Sequence, residues 1–228
     1  MAEFKDGSNY KRLEMEAAYS MPDEEERMDL IPWNIASEFR TKLMTLWNSR
    51  HIGTESFDGE YRIRGPEYSI QGCLEAMIKM DDILNPDPDF EDTKTYIETR
   101  VTMKNCFLEM AAIFAAYNYN GGHANIRYDD DIGGKEFVND IFAITMLEVS
   151  KYYGSSACKY EDNAWRKDIP IKVYFSSACQ HFMKWINRWK DEPHDRAVIW
   201  NCLCGMLLIM WLQLVMIVQK HFCGHFLN

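Results

Sequence analysis

Apolar residues recur along most of this chain at helical rather than strand spacing, and no convincing run of alternating β-branched residues interrupts them. Residues 35–47 place Ile35, Phe39, Leu43, Leu46 and Trp47 on one face, behind an entry at Pro32. A second helix is predicted over 68–84. It is closed by Asn85-Pro86-Asp87-Pro88, because proline removes a backbone donor and clashes with the preceding turn. A third runs over 92–117 and ends near 118–122. A loop rich in Asp129, Asp130 and Asp131 then leads through Gly133-Gly134 into a fourth helix over 136–153. Residues 154–170 read as irregular, 171–189 as a fifth helix and 195–222 as a sixth. The Gly-containing segment 51–65 fits either a short hairpin or a loop. The expectation is an all-α bundle of about six helices forming one domain, 32–228, behind a flexible acidic arm, 1–31. The break at 118–134 is the one candidate internal boundary, but neither half has enough helices to cover the apolar last segment, so the halves belong together.

That last segment changes the picture in one respect. Residues 197–218 carry no charge and are interrupted only by Asn201, Gly205 and Gln213, a length sufficient for a bilayer. Two amides inside the run, and Arg196 and Lys220 bracketing it without asymmetry, favour a central helix buried by its neighbours. A membrane-anchored interaction protein is the rival reading. The chain opens on a polar, acidic stretch without the apolar core of a signal peptide. With 228 residues, 47% of them hydrophobic, it has ample material for a core. A net charge of −10 and a pI near 5.1 argue against coating a nucleic-acid polymer, which requires clustered cations. Seven scattered cysteines, an odd number, fit reduced thiols in a cytoplasm better than a disulfide framework.

Candidate chemistry concentrates between residues 148 and 201. Lys159, Arg166 and Lys167 supply cations for phosphate beside Tyr160 and Trp165, which can stack on a base or plug the bundle end. His181 and Lys184 share a helical face, and His194 stands at the start of the last helix, a favourable anion position. Asn201 is an amide inside an apolar run and must find hydrogen bonds. Glu109 and Glu148 are embedded in apolar contexts where a carboxylate asks for a cation or a donor. Other carboxylates, Glu75 with Asp82 and Glu98 with Glu109, return to one face but equally fit solvated stripes. His221-Phe222-Cys223-Gly224-His225 has donors for Zn²⁺ without a second paired cluster, and Asp129-Asp130-Asp131 lacks the alternation of a Ca²⁺ loop.

Lys135, Glu148, the run Ser156-Ala157-Cys158-Lys159-Tyr160, the element Asn163-x-Trp165-Arg166-Lys167, then Ala178-Cys179-Gln180-His181, and finally His194 with Trp200-Asn201 together resemble the phage-encoded dATP/dGTP diphosphohydrolase N-terminal domain family. The resemblance covers 134–212. The chain departs from the family pattern with Ser156 in place of Gly, Ala164 inserted, Asp168 in place of Gly, Gln180 in place of Arg and Ala197 in place of a second His. The resemblance implies hydrolysis of a deoxypurine nucleoside triphosphate to monophosphate and pyrophosphate, in the cytoplasm of an infected bacterial host. By similarity to all-α nucleotide pyrophosphatases it also implies carboxylate-bound Mg²⁺ and a homo-oligomer. On that basis Glu148, Glu109 and His181 are the expected catalytic residues, and Glu148, Glu109 and Asp140 the expected metal ligands. Lys159, Tyr160, Asn163, Trp165, Arg166, Lys167, Lys184, His194 and Asn201 are the expected nucleotide contacts. The replaced Arg and His positions leave open a non-catalytic sponge that sequesters an immune signalling nucleotide.

Overall fold

Helix α1 (Trp33–Asn48) begins directly after Pro32 and buries Ile35, Ala36, Phe39, Leu43, Leu46 and Trp47, the face that its sequence marks as apolar. The computed structural model describes residues 26–49, 54–57, 60–63, 66–85, 96–119, 131–160 and 169–224. Five further helices follow, α2 (Pro66–Leu84), α3 (Tyr96–Asn118), α4 (Asp131–Tyr160), α5 (Ile171–Ile186) and α6 (His194–Gly224), and the chain is all-α in class. Between α1 and α2 the mixed segment forms a short antiparallel hairpin, β1 (Thr54–Phe57) paired with β2 (Glu60–Ile63), in which Thr54 faces Ile63 and Phe57 faces Glu60.

Helix α3 is buried almost all round from Cys106 to Ala116, because α2, α6, α1 and α4 all pack against it. A helix so enclosed needs no polar stripe, and its sequence has none there. Helix α4 presents Phe137, Ile141, Thr145, Val149 and Tyr153, a strict i, i+4 series, to the core. Helix α6 lies against both α5 and α3, burying Ala197, Val198, Ile199, Cys202, Leu203, Cys204, Met206 and Ile209. Its first part, His194–Leu212, is long and apolar enough to cross a membrane, but 56% of that window is buried among the other helices. At and just beyond the end of that window, Trp211 and Leu214 are exposed.

Several boundaries differ from those the sequence suggests. Helix α4 takes in Gly133-Gly134 at its start and continues through Gly154 to Tyr160, so Lys159 and Tyr160 end a helix instead of lying on an irregular segment. Helix α6 starts at His194, one residue earlier than expected, and α2 starts at Pro66, where proline's missing donor costs nothing. Leu30 and Ile31 are buried in the core, and the amide of Arg27 donates to the Ser150 carbonyl, so packing begins before residue 32.

Candidate functional site

The turn from α5 to α6 is tight, and the helix end that opens it carries its own closing bonds. The Arg188 amide donates to the Trp185 carbonyl (2.9 Å) and the Trp189 amide to the Lys184 carbonyl (3.0 Å). This pair of bonds is the Schellman pattern, with Arg188 at φ 58° in the left-handed position. The chain then returns through Lys190-Asp191-Glu192-Pro193 into α6, which places two carboxylates beside the positive end of that helix.

Five side chains meet at this hairpin. His181, from the inner face of α5, and His194, the first residue of α6, are both buried, and their Nδ1 atoms lie 3.0 Å apart. His194 Nε2 is 2.7 Å from Asp191 Oδ1. A carboxylate only accepts, so that ring nitrogen carries the proton, and in the neutral imidazole Nδ1 of His194 is then a bare lone pair. Nδ1–H of His181 accordingly donates to it and shares its proton with Glu192 Oε1 at 3.2 Å. Lys184 Nζ donates to Asp191 Oδ2 at 3.0 Å and lies 3.9 Å from Glu192 Oε1.

Burial holds the His181 imidazole below its usual range. The Glu192 carboxylate pulls the other way, while His194 and Lys184 reinforce the depression. Partial burial of Asp191 tends to raise its carboxyl, but hydrogen bonds from Lys184 and His194 outweigh that and leave it below the ordinary carboxylate value. The site thus sets a His181 imidazole that burial disfavours charging beside an Asp191 carboxylate held ionised by its donors. That arrangement can transfer protons or accept a cation.

The other sequence-predicted residues are distributed differently. Asn201 is buried and donates from Nδ2 to the Ala197 carbonyl of its own helix (2.8 Å), which meets its need for a partner without a ligand. Glu148 accepts from Lys151 (2.7 Å) and pairs with Arg196 at 2.6 Å, joining α4 to the first turn of α6. Next to it the Tyr119 hydroxyl donates to Asp195 (3.0 Å). Burial, with the Asp195 carboxylate next in effect, pushes that phenol above its usual range. Glu109 pairs with Lys42 of α1 at 3.6 Å, and Asp140 is exposed on α4. Among the described residues these three carboxylates do not gather into one donor group, whereas His181, Glu192 and His194 do. Asn163, Trp165, Arg166 and Lys167 lie outside the described residues, as do the side chains of Lys159 and Tyr160 and those of the His221–His225 run.

Trp200 packs among aromatic side chains. Its ring meets Tyr152, Tyr153 and Tyr174 at centroid distances of 5.6, 5.8 and 6.4 Å, an aromatic packing cluster between α4, α5 and α6. A cavity of about 420 Å³ lies elsewhere, between residues 31–34 and Leu207, Leu208 and Trp211. None of the described residues that line it is ionisable.

Asp191 and Glu192 are the residues of this candidate site that sequence reading missed. They sit in a charged turn that reads as solvated, and the only available signal was their position immediately before His194. Comparison with models of known families, with curated proteins and with solved structures finds no match to this chain, so the functional reading rests on its own residues.

Proposed function

We propose that this protein binds a deoxypurine nucleoside triphosphate and hydrolyses it to the monophosphate and pyrophosphate, working at the α5–α6 hairpin. The observation that carries this reading is the convergence there of His181, Lys184 and His194, three residues that the sequence singles out for this chemistry. An imidazole pair oriented by a carboxylate suits the proton transfers of hydrolysis, and the Lys184 ammonium is a point charge for a phosphate. Mg²⁺ bound with the triphosphate would offset its charge. Glu148 takes a structural part in this reading, tying α6 to α4 through Arg196.

The test is incubation of the full chain with dATP or dGTP and Mg²⁺, following pyrophosphate. Turnover that falls at least tenfold in His181→Ala supports the reading; no pyrophosphate from the wild-type chain ends it. A non-catalytic nucleotide binder is the second reading, and one observation favours it. Ala197 stands where the resemblance expects a second His, and it is fully buried, so that position offers no group to a ligand. Saturable binding of dATP by equilibrium dialysis, without turnover, selects that alternative.

A further inference from the structure

Two imidazole nitrogens and one carboxylate oxygen on the hairpin stand where three corners of a coordination tetrahedron would be. His181 Nδ1 is 3.0 Å from His194 Nδ1 and 3.2 Å from Glu192 Oε1, and His194 Nδ1 is 3.7 Å from the same oxygen. Ligands bound to Zn²⁺ at roughly 2.0–2.1 Å in a tetrahedron lie about 3.3 Å from one another. The observed triangle brackets that spacing, so an ion would need shifts of only a few tenths of an ångström. We propose that His181, Glu192 and His194 form a binding site for a zinc-class divalent transition metal, with a fourth position left for water or substrate.

The surroundings provide what such a site needs beyond its ligands. Asp191 Oδ1 accepts from His194 Nε2 at 2.7 Å, which fixes the imidazole as the tautomer whose Nδ1 lone pair points into the triangle. Lys184 holds the other oxygen of Asp191 in turn. The side chain of His194 is 1% exposed and that of Glu192 14%, so the ring is immobilised while the carboxylate edge stays reachable. Asp191 and Glu192 bring two carboxylates to the site beside the Lys184 ammonium. On binding, His181 gives up its Nδ1 proton to solvent and takes one at Nε2, with no net change of charge on the ring. Two imidazoles select zinc, cobalt, nickel or iron(II) over Mg²⁺, which prefers an all-oxygen shell. The site goes beyond nucleotide hydrolysis, since an ion there can be demonstrated with no nucleotide present.

The experiment is titration of the full-length, chelator-stripped protein with Co²⁺, read by visible absorption, followed by displacement with Zn²⁺. The expected result is an intense four-coordinate cobalt band that saturates at one equivalent, is abolished by Zn²⁺ and is unaffected by excess Mg²⁺. Glu192→Gln, nearly the same shape as the native residue, should weaken binding at least tenfold, and His181→Ala should abolish the band. Asp191→Asn, which touches no metal, should weaken binding ten- to hundredfold, the usual effect of losing a carboxylate behind a ligand histidine. His221→Ala/His225→Ala should bind as the wild type does. Absence of a saturable band overturns the proposal, as does wild-type affinity in Glu192→Gln or a band that depends on His221 and His225. If circular dichroism shows His181→Ala unfolded, Glu192→Gln decides alone. Cobalt binding without pyrophosphate release would keep the metal site and end the hydrolase reading; the converse would do the reverse.

Discussion

Arg188 shows at the scale of one residue how the hairpin is built against a local preference. Its φ of 58° belongs to a conformation that costs most side chains about 1–2 kcal/mol and that glycine adopts freely. In the Schellman pattern an apolar contact usually joins the residue after the left-handed position to one near the helix end. Here the Lys184 ammonium lies 5.6 Å from the centre of the Trp189 ring and fills that place. Arg188→Gly is therefore expected to stabilise the fold by about 0.5–1 kcal/mol, part of the gain being lost to the freer unfolded chain. Urea denaturation checks it, and a lower midpoint would mean that the arginine side chain carries a contact of its own. Glu148→Gln should act oppositely, costing about 1–2 kcal/mol by leaving the half-buried Arg196 short of a carboxylate, with pyrophosphate release unchanged. Turnover lost at undiminished stability would return Glu148 to catalysis. At this scale His181, Lys184 and His194 were legible because polar groups on apolar helical faces stand out. Asp191 and Glu192 were not, since their partners Lys184 and His181 lie across a turn and nothing in a local pattern reports that two helices fold back on each other.

At the scale of elements, two glycines on buried helical faces make opposite predictions. A Cβ on Gly205 of α6 would lie 2.6 Å from Cζ of Phe107, whose ring is 2% exposed in the middle of α3. A Cβ on Gly72 of α2 would lie 2.9 Å from Cδ1 of Ile113, the free end of a flexible side chain. Alanine gains up to about 1 kcal/mol of helix propensity at either position. Overpacking against a fixed ring costs about 1–3 kcal/mol, so Gly205→Ala should lose stability, while Gly72→Ala should be neutral or gain. Thermal melts of the two variants check this, and equal shifts would refute the idea that α3 and α6 touch closely at Gly205. The helices themselves were legible from apolar spacing, as Ile35, Phe39, Leu43 and Leu46 show. Their ends were less so. Gly133, Gly134 and Gly154 read as breaks in the sequence but lie inside the 30-residue α4, where packing of Phe137, Ile141, Val149 and Tyr153 outweighs the modest cost of glycine in a helix.

For the whole molecule, the apolar last helix announced a central role and its first half has one, but α3 shares the centre. An enclosed helix and a membrane span carry the same sequence signature, and only the arrangement of neighbours tells them apart. The same arrangement couples the hairpin to global stability. His194 and Asp191 precede and open α6, Asp195 accepts from Tyr119 at the end of α3, and Arg196 grips Glu148 of α4. A ligand that fixes the hairpin therefore braces four of the helices, and because the unfolded chain cannot assemble the three donors, its binding energy appears as folding energy. Zn²⁺ at about a hundredfold above its dissociation constant should add about 2.7 kcal/mol, which for a chain of this size raises Tm by about 5–10 °C. Calorimetry with Zn²⁺ and again with excess chelator measures the difference. Glu192→Gln, bound at least tenfold more weakly, should show at most about half of that rise at the same metal concentration. An equal rise in wild type and Glu192→Gln would place the stabilising ion away from α5 and α6, and the bracing role of the hairpin would then fall.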